Sequence, residues 1–200
     1  MGSRMMHYCI SSLISRHLKV AENEFLLGGI APDVHKNMNE PKKSSHFIRE
    51  NEAGISFVDD QAFYHKYLTH QYTDFHLGYY CHLISDEIWL QEVYMKKIKW
   101  LPPEKKKEAQ HQSYRDFLRL NGKIADYYDL QPREFQIEPV HVDEIDYRYL
   151  PELIRDLHRD FEKMDETKGE ALELLDFDEV VAILNDSVQA CLHEVRGFFE

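Results

Sequence analysis

Apolar residues recur at helical spacing along most of this chain, and this periodicity constrains the fold more than any other feature. Near the start, Ile10, Leu13, Ile14 and Leu18 fall on one face of a helix. A second stripe near the end follows the same spacing and consists of Val180, Val181, Ile183, Leu184, Val188, Cys191, Leu192 and Val195. Because each stripe must be buried against other helices, the pattern predicts a single all-α domain of six or seven helices over residues 1–200.

Punctuating residues place the predicted helix boundaries. Asn23 is expected to cap a short second helix that Gly28 and Gly29 end, and Pro102-Pro103 separates two long helices. The remaining predicted boundaries are a polar loop over 31–46, helices over 59–72, 75–100, 103–129, 147–166 and 177–199, and a connector over 131–146. Asp74 is expected to cap the helix that starts at 75, and no strand hairpin is predicted.

Composition limits the class of protein. The chain is 43% hydrophobic and 30% charged, and it has no apolar run near the ~20 residues that cross a bilayer. The N-terminal segment lacks the pattern of a secretory signal. Three widely spaced cysteines, Cys9, Cys81 and Cys191, indicate a reducing compartment. We therefore expect a cytoplasmic protein without a transmembrane segment. The net charge of −12 predicts no stable nucleic-acid complex.

Histidine is unusually frequent, with twelve residues in the chain. Within "LGYYCHLISDEIW", His82 and Asp86 lie four residues apart in a segment that otherwise has the composition of a buried helix. Residues at this spacing share a helical face, with about 5–6 Å between Cβ atoms, so both side chains could reach one metal ion. Gly78 lies one turn earlier, where another backbone or a metal could approach. The alternative is a structural contact between the two side chains.

Three further residues from separate segments could complete a metal site. His7 begins the first apolar helix, Asp33 ends "GGIAPD", and His46 precedes an apolar residue in "SSHF". Imidazole nitrogens and carboxylate oxygens are the donors that zinc and similar divalent ions accept. The other histidines of this half, His17, His65, His70 and His76, are interpreted as surface residues.

The order of these residues, "H…GxxAPD…HF…GYxxHxxxD", resembles the zinc-dependent phospholipase C family, whose relatives include single-strand-specific zinc nucleases. The likeness covers about residues 5–95. It implies an all-α fold around a multinuclear zinc site that hydrolyses phosphate esters. It also implies that His82 and Asp86 are ligands and that Asp86 bridges two metals.

The chain departs from the family pattern after the H-x-x-x-D motif. No further histidine follows, and Glu87 and Glu92 are the candidate ligands in that stretch. We therefore expect one or two zinc ions, or another divalent metal. Asp116 is the first choice for an additional ligand or for a carboxylate that orients one, the alternative being a solvated helix face. His35 could contact substrate or cap its own loop. The half that holds the metal is then about 5–125, followed by C-terminal helices over about 147–199.

The expected function is a cytoplasmic, zinc-dependent hydrolase of phosphate esters with a metal-activated water as nucleophile. Asp33 would serve as general base or ligand, and the partner would be a small phosphorylated substrate or a phospholipid head group. One alternative is a non-catalytic helical binding protein with a structural metal, and another is a hydrolase of a different bond with the same centre. The basic run 96–107 is either two solvated helix ends or a patch that attracts phosphate.

Overall fold

The computed structural model describes residues 2–199, of which the great majority are helical. Eight α-helices lie in this part of the chain: α1 Arg4–Ser15, α2 Glu22–Ile30, α3 Lys42–Ser45, α4 Asp60–Phe63, α5 Asp74–Trp89, α6 Pro103–Tyr128, α7 Leu150–Thr167 and α8 Phe177–Val195. Two π-helical segments, Tyr64–Leu68 and Leu90–Ile98, continue α4 and α5. The prediction of a single all-α domain is confirmed.

Helix α5 lies at the centre of the molecule. All thirteen residues from 74 to 86 except the first are buried, and α5 packs against α1, α2 and α8. A helix that is apolar on all sides is characteristic of a core position, since it has no face to present to water. His82 and Asp86 are therefore held inside the protein rather than on a solvated face.

Helices α2 and α5 cross at a distance that only glycine allows. A Cβ added to Gly28 would lie 2.0 Å from the carbonyl oxygen of Phe75, and one added to Gly78 would lie 2.0 Å from that of Phe25. The prediction that Gly28 and Gly29 end α2 is wrong, because both lie inside the helix, where they permit this contact. The sequence left open whether another backbone or a metal approaches Gly78, and in the structure it is the backbone of Phe25.

The segment between α2 and α5 is more structured than predicted. Residues Ala31–Lys36 form a 3-10 helix within the expected loop. Strands β1 (Ile48–Glu50) and β2 (Ser56–Val58) form an antiparallel hairpin that was not predicted. Such short strands carry little sequence periodicity. Asp59 caps α4 through the backbone N–H of Ala62, in agreement with the predicted helix start at 59. The helix and its π-helical continuation end at Leu68 rather than at 72.

Two capping predictions need correction. Helix α5 is capped by Thr73 rather than Asp74, and α2 by Ala21 rather than Asn23. Asp74 instead accepts a hydrogen bond from the backbone N–H of Ala21, which ties the start of α5 to the start of α2. The carboxylate therefore joins two helix N-termini in space.

The C-terminal half follows the predicted boundaries closely. Helices α6, α7 and α8 agree with the prediction to within a few residues, and 131–146 lacks helix or strand. In the basic run, Lys97 forms an ion pair with Glu179, and Lys96 pairs with Glu92. Within residues 2–199, no helix combines the length and apolar character needed to cross a membrane. The three cysteines are free and buried.

Candidate metal centre

Five predicted side chains from four segments meet in the core. His7 comes from α1, Asp33 from the 3-10 helix, His46 from the end of α3, and His82 and Asp86 from α5. None of the five is more than 3% exposed. We call this group the His/Asp cluster. Burying so many polar groups together is costly unless they are paired or bind an ion.

Asp86 lies at the centre of the cluster. Its Oδ1 is 3.1 Å from His7 Nε2 and accepts the backbone N–H of Gly2 at 3.2 Å. Its Oδ2 is 3.6 Å from His46 Nε2 and 3.8 Å from His82 Nε2. The two oxygens of one carboxylate therefore face different imidazoles.

The cluster divides into two overlapping sets of three donors. One set is His7, His82 and Asp86, and the other is Asp33, His46 and His82. Within each set the donor atoms lie within 4.8 Å of one another. Asp33 Oδ1 is 3.6 Å from His46 Nε2. Each set has the mixed nitrogen and oxygen donors of a divalent metal site, and His82 is common to both.

The surrounding hydrogen bonds orient two imidazoles. His82 Nδ1 is 2.8 Å from the carbonyl oxygen of Gly29, so this nitrogen carries the proton and donates it. Ser85 Oγ donates to the carbonyl oxygen of His82 at 2.8 Å, which leaves the hydroxyl to accept from His7 Nδ1 at 3.1 Å. In the neutral rings both Nε2 atoms consequently present a lone pair to the centre of the cluster.

The third imidazole follows the same rule. Ser45 Oγ donates to the carbonyl oxygen of Lys42 and lies 2.8 Å from His46 Nδ1, from which it accepts. Within residues 2–199, the Nε2 atoms of His7, His46 and His82 and Oδ2 of Asp86 are buried without a hydrogen-bond partner. Metal-binding histidines characteristically donate their other ring nitrogen to such an acceptor.

The electrostatics favour neutral imidazoles beside ionised carboxylates. Burial lowers the pKa of His46 to about 4 and holds the pKa of His82 well below its usual value. Burial works against ionisation of Asp33 and Asp86, but the nearby Lys42 charge counters it, and both pKa values lie well below the ordinary range. Lone pairs and negative charge then face one another, an arrangement that a cation stabilises.

Two further side chains border the cluster. Lys42 Nζ is 3.5 Å from Asp86 Oδ2, and the lysine side chain is 27% exposed. His35 is buried, its ring stands edge-on to that of His46 with 5.1 Å between centroids, and its Nδ1 is 3.2 Å from the carbonyl oxygen of Pro32. His35 thus lies beside the cluster, with Nε2 available to accept a hydrogen bond.

Asp116 is not part of the cluster, and its prediction as a ligand needs correction. Its carboxylate accepts the backbone N–H groups of Glu173, Leu174 and Leu175 at 2.8–3.1 Å and pairs with Arg119. These donors satisfy both oxygens, so Asp116 anchors the segment before α8. Glu87 is likewise engaged elsewhere, because its Oε2 accepts the N–H of Val58 in β2.

His76 also departs from the prediction. It is 7% exposed rather than a surface residue. Its Nδ1 accepts the backbone N–H of Thr73, and its Nε2 is 3.2 Å from the carbonyl oxygen of His141. His17, His65 and His70 are exposed, as predicted.

Sequence reasoning missed the groups that orient the ligands, namely Ser45, Ser85, the carbonyl of Gly29, and the neighbouring Lys42. The one available signal was that a serine directly precedes both His46 and Asp86. Two surface clefts of about 750 and 680 Å³ lie among α6, α7 and the segment before α8, and no cluster residue lines either one.

Comparisons with protein-family models, with curated proteins and with solved structures found no match. The functional argument for this chain therefore depends on the composition and geometry of the His/Asp cluster.

Proposed function

We propose that the protein is a metal-dependent hydrolase of phosphate esters, similar to phospholipase C enzymes, with zinc as the preferred ion. The observation that carries the proposal is the convergence of three buried imidazole Nε2 atoms on the Asp86 carboxylate, that of His7 on Oδ1 and those of His46 and His82 on Oδ2. Within residues 2–199, these three nitrogens and Oδ2 have no hydrogen-bond partner. Burying four polar atoms without hydrogen-bond partners costs free energy, and a bound cation would remove that cost.

The donor set fits zinc. Each half of the cluster offers two imidazole nitrogens and one carboxylate oxygen, which is the ligand set of several catalytic zinc centres. Three protein ligands leave a coordination position for water or substrate, whereas structural zinc sites use four. The ligands come from helices packed into the core, which hold them in place.

One or two ions are compatible with the arrangement. Asp86 directs Oδ1 toward His7 and Oδ2 toward His46 and His82, so its carboxylate could serve two ions at once. A divalent ion in such a site polarises phosphoryl oxygens and lowers the pKa of a coordinated water toward ~7.

The chain's own residues would have distinct roles. His7, Asp33, His46, His82 and Asp86 would hold the metal. The pKa of Asp33 lies well below its usual value because the Lys42 charge counters burial, which makes this carboxylate a weak base, so we assign it as a ligand in preference to a general base. His35 lies beside His46 and would accept a hydrogen bond from a substrate hydroxyl through Nε2.

A panel of chromogenic phosphate esters tests the proposal. Protein freed of metal by chelation and then reloaded with zinc should hydrolyse at least one phosphomonoester or phosphodiester. Zinc should restore activity in proportion to its occupancy. Helical content measured by circular dichroism should change little when the metal is removed, because most of the core lies outside the cluster.

Two results would redirect the assignment. A zinc-loaded protein that is inert toward every ester, and that unfolds when zinc is removed, would be a binding protein with a structural metal. A zinc-loaded protein that is active on amides or other esters but not on phosphates would be a hydrolase of another bond.

A further inference from the structure

Lys42 joins the buried cluster to the surface of the protein. It is the first residue of α3, and its carbonyl oxygen accepts the backbone N–H of His46 and the hydroxyl of Ser45. The same short helix therefore orients a predicted ligand and positions the lysine. The ammonium lies 3.5 Å from Asp86 Oδ2, while the side chain remains 27% exposed.

Charge explains why the ammonium lies there. Asp33 and Asp86 place two negative charges in the core beside His46 and His82, whose pKa values burial lowers. Within residues 2–199, Lys42 is the one lysine or arginine whose nitrogen lies within 4.0 Å of either carboxylate. It supplies the counter-charge that the imidazoles do not provide.

A divalent ion would compete directly with this ammonium. Zinc binds a carboxylate oxygen at about 2.0–2.2 Å, and an ammonium about 3.5 Å from the same oxygen would then face a doubly charged neighbour. Lysine carries its charge on a flexible four-carbon stem, so the ammonium can move outward without moving α3. Because part of the side chain faces solvent, the displaced ammonium would remain between the cluster and the protein surface.

We infer that Lys42 is a substrate-binding residue whose ammonium neutralises Asp86 in the metal-free protein and contacts the phosphate group of the substrate once metal is bound. This inference rests on the proposed function and extends it. It assigns the anion contact at the site to a residue that is not a metal ligand. A lysine in this role recognises phosphate as a point charge and donates hydrogen bonds to its oxygens.

The first part of the test measures metal binding alone. Zinc is titrated into metal-free protein by calorimetry at low salt, for wild type, Lys42→Met and Lys43→Met. Because Lys42→Met lacks the competing charge, it should bind zinc about threefold to tenfold more tightly than wild type. Lys43 is an exposed neighbour on the same helix, and its variant should match wild type.

The second part measures anion binding. Inorganic phosphate is titrated into the zinc-loaded proteins, and its affinity should fall about tenfold or more in Lys42→Met. Lys43→Met should again match wild type, and Lys42→Arg should recover most of the affinity because it retains the cation. Circular dichroism of each variant checks that α3 and the rest of the fold are intact.

Unchanged phosphate affinity in folded, zinc-loaded Lys42→Met would overturn the inference, whatever happens to zinc affinity. Equal losses in the Lys42 and Lys43 variants would also overturn it, because they would show a general effect of surface charge. The proposed function fails separately. If wild type binds zinc and phosphate with the expected dependence on Lys42 but cleaves no phosphate ester, the anion site stands and the hydrolase assignment falls. If wild type binds no zinc, both fall.

Discussion

The imidazoles of His7 and His82 stack face to face, with 3.6 Å between ring centroids and 20° between ring planes. Each ring donates Nδ1–H to a fixed acceptor, Ser85 Oγ for His7 and the Gly29 carbonyl for His82, so both present Nε2 on the same side. The two rings in this arrangement form a preorganised pair of nitrogen donors. The contacts of these two rings with Asp86 lead to specific predictions for zinc binding and for substitutions in the cluster.

Zinc should copurify with the protein at one to two ions per chain, because Asp86 faces His7 with one oxygen and His46 and His82 with the other, so its carboxylate could serve one ion or two. Elemental analysis measures the metal content. Since the ion would bind the native cluster, free zinc at a hundred times its dissociation constant should raise the free energy of unfolding by about 2.7 kcal/mol. A protein that holds no transition metal even after reconstitution, and whose stability does not respond to zinc, would contradict both the site and the family resemblance.

Asp86→Ala and His82→Ala should each abolish metal-dependent hydrolysis while the protein stays largely helical. Asp86 should be the more sensitive position, because its two oxygens face imidazoles in both halves of the cluster. Zinc content and hydrolysis rates are measured together with circular dichroism. Exposed residues of the same types, Asp186 and His65, provide matched alanine controls that should behave as wild type.

Wild-type activity and metal content in Asp86→Ala would show that α5 carries this pair for packing. Loss of activity in the Asp186 or His65 variant would instead point to a general loss of stability.

Local spacing and chain order predicted the cluster, whereas its surroundings depended on contacts between distant segments. The four-residue spacing of His82 and Asp86 fixes their common face within a single helix. The same reasoning could not show that Ser85 accepts from His7, or that the Gly29 carbonyl reaches His82, because those contacts require the close crossing of α1, α2 and α5.

The errors have the same physical origin. A pair of glycines such as Gly28 and Gly29 is typical of a helix terminus. Here the close approach of the Phe75 carbonyl to Gly28 requires glycine inside α2 instead. Asp116 is a residue type that could bind a metal from a helix. Its carboxylate instead accepts hydrogen bonds from backbone N–H groups some 57 residues later in the chain. Burial of a polar residue can be inferred from the sequence around it, whereas its partner cannot.

Ser85→Ala should weaken zinc binding about tenfold to a hundredfold. The substitution removes the acceptor for His7 Nδ1–H and frees the ring to rotate or change tautomer. Calorimetric titration of zinc into metal-free protein measures the effect. Ser187→Ala is the matched control, because Ser187 is equally buried but donates to the carbonyl oxygen of Ile183 in α8. Equal zinc affinity in the Ser85 variant and wild type would show that Ser85 does not orient the ligand.

Asp116→Ala should destabilise the fold without changing zinc affinity. The variant leaves the backbone N–H groups of Glu173, Leu174 and Leu175 without their acceptor, at a cost of about 3 kcal/mol or more. Arg119 loses one of its three carboxylate partners and keeps Glu170 and Glu173. Urea unfolding of the metal-free protein measures this cost. Normal stability combined with reduced zinc affinity would show that Asp116 contributes to the metal site.

His76 should make the stability of the protein depend on pH in a defined direction. Burial lowers the pKa of His76 in the folded protein, and its Nδ1 accepts a hydrogen bond from Thr73 that protonation would break. Below the unfolded-state pKa of about 6.5, the unfolded chain therefore binds more protons than the folded one. The free energy of unfolding should fall as the pH drops below this value, and His76 should contribute nothing at higher pH.

His76→Gln isolates this contribution, since glutamine at the third position of a helix can accept the same backbone N–H but does not titrate. Urea unfolding of wild type and variant between about pH 5 and pH 8 should give a steeper decline for wild type below about pH 6.5. The buried histidines of the cluster titrate in both proteins, so the difference between the two curves reports His76 alone. Parallel curves over this range would show that His76 keeps its ordinary pKa in the folded protein and that its burial carries no electrostatic cost.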